Sequence, residues 1–227
     1  MNTTSAHAPE WHPVAPSHHL RAGDNIVAAF AKGEELALWR SEDGAVQAWE
    51  NRCPHRGLRL TMGRVLNGRL SCAYHGWEYA PDGRCAAIPA NPSLPLPKNV
   101  RVRAFSVEER NGMVWVSTEA AGASPSSPAQ TDREPHFCRS LGIRLEASVV
   151  ENRLARNDFD REGPWAWRGE LAGQRVALLI NEVGHGLTLI HAWLDQRPNV
   201  RQARAVQAAL RLLRRDLEAG AQKRRQA

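Results

Sequence analysis

Four side chains able to bind a metal lie in two short stretches, CPHRG at 53–57 and CAYHGW at 72–77. Each stretch has one cysteine and one histidine, and sixteen residues separate His55 from Cys72. The spacing is C-x-H, followed by C-x-x-H. Thiolates and imidazoles at such spacings bind zinc or an iron–sulfur cluster.

The arrangement of the two residue types favours one of these metals. A [2Fe–2S] centre of the Rieske type uses two thiolates on one iron and two imidazoles on the other. A structural zinc finger instead separates a cysteine pair from a histidine pair, whereas here each stretch mixes them. The pattern therefore favours one [2Fe–2S] cluster over a Cys₂His₂ zinc site or two accidental pairs, with His55 and His75 at its exposed end.

Short strands and tight turns surround the two stretches. Asp43-Gly44 and Asn67-Gly68 are typical of hairpin turns. Alternating apolar runs predict strands at 26–30, 36–40, 46–49, 100–107 and 112–116. Together they predict an antiparallel β domain over residues 11–118.

A stretch of small residues and prolines over 119–135 predicts a linker. Beyond it, the sequence predicts an α+β region over 136–227, with a strand at 141–146, a helix at 149–161 and a hairpin formed by 175–180 and 187–194. A helix over 199–220 has an apolar stripe at three- and four-residue spacing. This stripe is expected to pack on the region's own sheet; a subunit contact is the alternative.

Composition and charge bound the class of protein. The chain has 227 residues, 42% hydrophobic, with a formal net charge of +6 and without an apolar run long enough to span a membrane. Its N-terminus has no secretory pattern, and cysteines at metal-ligand spacing fit a reducing compartment, so we expect a cytoplasmic protein. The segment from Arg201 onward contains eight Lys or Arg residues and only two acidic residues. No nucleic-acid motif accompanies this charge, which suits a solvated helix face or an acidic protein partner.

The cluster motifs resemble the Rieske domain of ring-hydroxylating and demethylating non-haem iron oxygenases. The resemblance is carried by 53–57 and 72–90 and extends through 11–15, 35–57 and 111–117. It implies that Cys53 and Cys72 ligate one iron and His55 and His75 the other. It also implies a mainly β fold: an antiparallel Rieske domain, then a short helix-grip-like remnant of α+β type that ends in a long helix.

Respiratory Rieske proteins differ from this pattern, because they carry an extra cysteine in each loop that forms a disulfide. Arg56, Gly57 and Ala73 stand around those places here. Cys85 and Cys138 are therefore not expected to form a cluster disulfide, and Cys85 is expected to be a small buried residue.

The resemblance fails at the second metal site of these oxygenases, a mononuclear iron held by two histidines and one carboxylate. After the matching start at Glu151-Asn152, the chain has Ala155 in place of the bridging Asp, and Asp158 and Gly163 in place of the two histidines. We therefore expect no mononuclear Fe(II) in this chain.

A rebuilt iron site is a less favoured alternative. His185 and His191, with Glu182 or Asp195 nearby, are the residues that could form one, and His136 is a weaker candidate. Histidines in a hairpin are more often ordinary surface or core residues.

Three functions follow from these patterns. The favoured one is a Rieske electron-transfer subunit that passes electrons from an NAD(P)H-dependent reductase or ferredoxin to a mononuclear iron on a partner oxygenase chain, within an oligomer. The second is a terminal hydroxylase or demethylase with an atypical iron site. The third is a non-catalytic structural or redox-sensing subunit.

Overall fold

The computed structural model of the chain describes residues 10–119 and 135–222, which fall into two compact units. The first unit contains residues 10–109 and 114–119, and the second contains 110–113 and 135–222. Most of the predicted linker at 119–135 lies outside the described residues. The predicted domain limits, 11–118 and 136–227, remain predictions.

The first unit consists of short strands in three small sheets, with orders β1-β10-β9, β2-β3-β4 and β5-β6-β7-β8. All neighbouring strands in the second and third of these sheets are antiparallel. The strands are β1 (Trp11–Pro16), β2 (Ile26–Ala31), β3 (Glu34–Arg40), β4 (Val46–Glu50), β5 (Arg64–Leu66), β6 (Arg69–Ser71), β7 (Glu78–Tyr79), β8 (Cys85–Ala87), β9 (Ser106–Arg110) and β10 (Met113–Ser117). Short 3₁₀ turns lie at Ser17–His19 and Leu60–Met62. The predicted β domain is confirmed.

Hairpin turns fold this unit locally. Asn67 and Gly68 have φ values of 48° and 69° between β5 and β6. Two successive left-handed residues match the twist of the flanking strands, and Asn-Gly adopts them readily. The predicted strand at 100–107 was wrong in its first part: β9 begins at Ser106, and Arg101 and Ala104 form only single bridges to Arg84 and Trp49.

An apolar core lies beneath both metal-binding stretches. Trp39 and Trp49 are fully buried and meet edge to face, with ring centroids 4.9 Å apart. Leu60 and Leu70 belong to the same core, which extends to Cys53 and Cys72. The two thiols therefore end in a packed, apolar environment.

The second unit is a five-stranded antiparallel sheet with two helices. Its strand order is β11-β15-β14-β13-β12. The elements are β11 (His136–Ile143), α1 (Ala147–Ala155), β12 (Asp160–Arg161), β13 (Ala166–Leu171), β14 (Gln174–Gly184), β15 (Leu187–Leu194) and α2 (Val200–Gln222). The α+β prediction is confirmed, as is the hairpin predicted from 175–180 and 187–194. The strand predicted at 141–146 was misplaced, because β11 covers His136–Ile143 and the chain leaves the sheet before α1.

Helix α2 packs on the sheet of its own unit, as expected. Four residues of its apolar stripe are buried in one core together with sheet residues such as Leu178 and Ile190; they are Val206, Leu210, Leu213 and Leu217. The helix predicted at 149–161 ends early, at Ala155, because Asp158 is left-handed with φ 58°.

Strand β13 was missed, since Arg168 and Gly169 interrupt its apolar pattern. Gly169 is required there: a Cβ atom at this position would lie 2.6 Å from the Phe159 ring.

Candidate metal centre

The first loop connects β4 to the 3₁₀ turn at Leu60–Met62 and is closed by two backbone hydrogen bonds. The Cys53 N–H donates to the Leu58 carbonyl over 2.8 Å, and the Gly57 N–H donates to the Cys53 carbonyl over 2.7 Å. Gly57 has φ +75°, a conformation that L-residues with a Cβ atom rarely adopt. The glycine therefore permits the reversal of chain direction that positions the side chains of Cys53 and His55.

The second loop, between β6 and β7, repeats this frame. The Cys72 N–H donates to the Trp77 carbonyl over 2.9 Å, and the Gly76 N–H donates to the Cys72 carbonyl over 3.1 Å. Gly76 has φ +68°. In both loops the glycine is four residues after the cysteine; the histidine is two residues after it in the first loop and three in the second.

The two loops bring the four predicted ligands together. Cys53 and Cys72 are each 3% exposed. Burial raises the pKa of Cys72, and the adjacent Cys53 thiol raises it further. The rings of His55 and His75 are half-buried, with centroids 4.8 Å apart. The thiols thus form the inner side of the group, and the imidazoles form its more exposed side.

Aromatic rings flank both imidazoles. Trp77, from the second loop, stacks on His55 of the first loop with centroids 4.2 Å apart and planes 10° from parallel. Tyr74 stacks on His75 at 3.8 Å and is itself 62% exposed. These aromatic side chains fix the ring orientations and cover the imidazole faces.

Tyr79 is a contact that the sequence did not reveal. It follows the second loop on β7, is fully buried, and places its hydroxyl 3.2 Å from the Cys53 sulfur. Burial is the main cause that raises its pKa, followed by the Cys53 contact, so the phenol stays protonated and can donate to a thiolate. The sequence feature that could have indicated this contact is an aromatic residue on the strand directly after the second loop.

The surroundings of His55 favour its neutral form by lowering its pKa. Partial burial, the neighbouring His75 and the Arg56 guanidinium all lower the pKa of His55. A neutral imidazole has the free nitrogen lone pair that a metal ion requires.

Similarity to known proteins agrees with this geometry. A family profile described as "Rieske [2Fe-2S] domain" matches residues 10–105. Residues 10–105 form a Rieske domain. Among curated proteins, Oxidoreductase NdmD of Pseudomonas putida is 36% identical over 143 residues, which are 63% of this chain and 24% of that protein. The 3-chlorobenzoate-3,4-dioxygenase oxygenase subunit of Comamonas testosteroni is 40% identical over 119 residues, or 52% and 28% of the two chains.

The chain is thus related to Rieske non-haem iron oxygenases, as the motifs indicated. It spans only about a quarter of the length of these two relatives. Among solved structures, apo Dicamba Monooxygenase matches with a TM-score of 0.74 at 18% identity, over 96% of this chain and 87% of that one. The fold likeness therefore extends beyond the Rieske domain into the second unit.

The Rieske donor set fits the geometry of the two loops. Each iron of such a cluster takes two protein ligands, and here two buried thiols and two imidazoles form separate pairs. Across residues 10–119 and 135–222, no group of three or more His, Cys, Asp and Glu is placed to hold a single metal ion. A [2Fe–2S] cluster with two protein ligands on each iron does not require such a group.

The other two cysteines lie apart from the ligand pairs. Cys85 is buried on β8, where it pairs with Tyr79 on β7. Cys138 is half-buried on β11 in the second unit. Both are free thiols, as are Cys53 and Cys72.

The candidates for a second iron site are dispersed within the second unit. His185 is exposed in the β14–β15 turn, whereas His191 is buried on β15, with its Nδ1 atom 2.7 Å from the Ser140 hydroxyl. Asp195 pairs with Arg168 at 2.5 Å, and His136 lies exposed at the start of β11. The expectation that Ala155, Asp158 and Gly163 replace an iron site stays a prediction.

No helix in the described part of the chain has the length and apolar character to cross a membrane.

Proposed function

We propose that this chain is the Rieske electron-transfer component of a multi-chain non-haem iron oxygenase. It would receive electrons from an NAD(P)H-dependent reductase or ferredoxin and pass them to a mononuclear iron on a partner chain, in an oligomer. The observation that carries the proposal is the convergence of two loops with their thiols buried and their imidazoles on the more exposed side. Free thiols on all four cysteines fit a cytoplasmic location.

Each ligand has a defined part in this proposal. Cys53 and Cys72 would hold one iron, and His55 and His75 would hold the other. When bound, the cluster supplies reversible one-electron chemistry, at a potential of roughly −150 to +300 mV. Cys53 and Cys72 would anchor the group in the apolar core, and the more exposed imidazoles would offer a route for an electron to the acceptor chain.

The protein surroundings serve this chemistry without taking part in bond making. The Tyr79 hydroxyl lies 3.2 Å from the Cys53 sulfur; with Cys53 as a thiolate ligand it would donate to that sulfur and disperse its negative charge. Trp77 and Tyr74 hold the imidazole planes and limit the access of water. The hydrogen-bonded loop frames fix the separation of the two ligand pairs.

The decisive experiment compares the metal content of two cysteine variants. Cys72→Ser should lose the cluster, with iron and sulfide each falling from two per chain to nearly zero. Cys85→Ser, a matched change in the same core, should keep both and retain the Rieske electron paramagnetic resonance spectrum after reduction. Loss of the cluster in Cys85→Ser with retention in Cys72→Ser would refute the ligand assignment.

A terminal oxygenase is the second candidate function. It is favoured by the fold likeness to apo Dicamba Monooxygenase, which covers 96% of the chain. An iron content of three per chain, with substrate oxidation by this chain, a reductase and O₂ alone, would establish it over the electron-transfer role. Two irons per chain, with oxidation only after a partner oxygenase chain is added, would support the electron-transfer component. A redox-sensing or structural role would be indicated if no NAD(P)H-dependent donor reduced the cluster.

A further inference from the structure

Positive charge is concentrated in the segment that contains both cluster loops. Residues 50–103 have nine Lys/Arg against three Asp/Glu. The C-terminal segment from Arg201 has eight against two, whereas the rest of the chain has thirteen against nineteen. The basic excess near the cluster loops, six charges, therefore equals that of the C-terminal segment from Arg201 onward.

A basic pocket of about 350 Å³ lies beside the first loop. Four arginines line it, together with Glu50 and Cys53; the arginines are Arg52, Arg56, Arg101 and Arg103. Backbone hydrogen bonds join its walls, from the Glu50 N–H to the Arg103 carbonyl over 2.9 Å and from the Val102 N–H to the Gly83 carbonyl over 2.8 Å. The pocket is thus built on paired backbone.

Three of these arginines have no carboxylate partner within residues 10–119 and 135–222. Arg103 pairs with Glu34 at 3.2 Å and stacks over Phe105. Arg101 donates to the backbone carbonyl of Asp82, Arg52 lies against Gly57, and Arg56 projects near His55. Three guanidinium groups around one concavity, with only Glu50 to oppose them, attract carboxylates.

We propose that this pocket docks a carboxylate side chain of an acidic electron-donor protein. The inference rests on the proposed electron-transfer function and names the donor's face. The planar fork of arginine matches a carboxylate in a bidentate way. Outside the pocket, Arg59, Arg69 and Arg84 pair with Glu35, Glu78 and Asp82. Arg64 and Lys98 have no carboxylate partner among the described residues, and they add to the three unpaired pocket arginines a positive charge that a single small anion would not neutralise. An extended acidic protein surface suits this charge.

The location of the pocket gives the donor a defined place. Cys53 lines the pocket and neither histidine does. A donor seated there would lie beside one cluster ligand and leave the His55–His75 edge available to the acceptor chain. In the transfer, the donor is oxidised by one electron and this chain's cluster is reduced by the same electron.

The test measures binding of the cluster-loaded protein to an oxidised acidic [2Fe–2S] ferredoxin by calorimetry at several salt concentrations. The double variant Arg52→Gln/Arg101→Gln should raise Kd by about tenfold at low salt and flatten its salt dependence. Arg21→Gln removes one charge outside the pocket, where Arg21 pairs with Asp24, and should change Kd by less than about twofold. Arg204→Gln/Arg211→Gln makes the matched double change on α2 and should behave like Arg21→Gln.

Three results would overturn the proposal that the donor protein docks at this pocket. In the first, the α2 double variant weakens binding while the pocket variant does not, which would move docking to the helix. In the second, all variants bind ferredoxin equally. In the third, inorganic phosphate binds saturably at constant ionic strength, Arg101→Gln abolishes that binding, and ferredoxin binding is unaffected; the occupant would then be a small anion.

A second measurement distinguishes failure of the docking-site proposal from failure of the proposed electron-transfer function. A photoexcited neutral deazaflavin reduces an accessible cluster without a docking surface, so the pocket variants should be photoreduced as fast as the wild type. A wild-type protein without a reducible cluster would overturn the proposed function itself. A reducible cluster with pocket variants that bind normally would overturn only the docking site.

Discussion

The loop at Cys53 and the loop at Cys72 hold their cysteines with the same two backbone hydrogen bonds, yet they surround them differently. In the first loop the pair after Pro54 is His55-Arg56, and in the second the pair after Ala73 is Tyr74-His75. The first loop is basic and adjoins the arginine-lined pocket, whereas the second is aromatic.

This contrast separates the properties that come from the shared backbone hydrogen bonds from those that come from the side chains around each cysteine. A shared frame places one thiol and one imidazole per loop, which is the requirement for a symmetric ligand set. The charged and aromatic neighbours then distinguish two sides of the group of four side chains, one beside the arginine-lined pocket and one covered by rings. The predictions below test how far the two loops are equivalent.

Replacement of either histidine by cysteine should give the largest effect. His55→Cys and His75→Cys each exchange a neutral ligand for a thiolate, which stabilises the oxidised cluster. The reduction potential should fall by on the order of 100–300 mV and the Rieske spectrum should be lost in both variants. Protein-film voltammetry and electron paramagnetic resonance measure these changes. An unchanged spectrum in one variant alone would show that only the other loop provides a histidine ligand.

The two loop glycines should differ in their tolerance of a side chain. Gly57→Ala and Gly76→Ala each place a Cβ atom at positive φ, at a cost of about 1–2 kcal/mol in the free energy of unfolding. At Gly57 the new atom would also lie 3.2 Å from the Nε atom of Arg52, whereas nothing lies within 4 Å at Gly76. Urea denaturation should therefore find Gly57→Ala the less stable variant.

The control for this comparison removes the obstructing side chain. In the background of Arg52→Ala, the substitution at Gly57 should cost the same as the substitution at Gly76. Equal costs already in the wild-type background would mean that Arg52 moves aside without penalty.

Loss of the Tyr79 hydroxyl should affect only the first loop's sulfur. The Tyr79 hydroxyl lies 3.2 Å from the Cys53 sulfur and would donate to its thiolate, whereas the backbone N–H groups of Tyr74 and His75 donate to Cys72. Tyr79→Phe should lower the reduction potential by about 40 mV, since a hydrogen bond of about 1 kcal/mol favours the more negative, reduced cluster. Tyr74→Phe keeps the ring stack on His75 and should leave the potential unchanged. A fall in Tyr74→Phe equal to that in Tyr79→Phe would contradict this distinction.

The smallest expected effect concerns the charge beside His55. Arg56 lowers the pKa of His55, because a nearby cation disfavours the imidazolium. In iron-free protein, Arg56→Gln should therefore raise the pKa of His55, as measured by NMR titration. Arg21→Gln provides the matched loss of charge and should leave that pKa unaltered; an equal rise in both variants would point to net charge rather than proximity.

Local features of the fold and of the site could be predicted from the sequence. The ligand spacing and the Asn67-Gly68 turn depend on residues close in the chain; the spacing indicates a Rieske centre, and the turn indicates a β-hairpin. The apolar stripe of α2 could also be predicted, because its three- and four-residue spacing continues over a long helix.

Features that depend on distant pairs could not be predicted. Tyr79 meets Cys53 across 26 positions, and the pocket joins Arg52 to Arg101 from separate segments. Strand β13 is stabilised by its neighbours in the sheet although Gly169 breaks its pattern. These contacts depend on how strands are paired, and a local window in the sequence contains no record of that pairing.

The paired hydrogen bonds of the two loops also bear on the speed of electron transfer. In each loop, the N–H and C=O groups of the cysteine are hydrogen-bonded to the loop's own backbone. These bonds do not depend on the charge of a bound iron, so they would hold both cysteines in the same place in either redox state. A site whose ligands are fixed by their support moves little when its charge changes. Such a centre has a small reorganisation energy, and an electron can be accepted and released without waiting for the protein to rearrange.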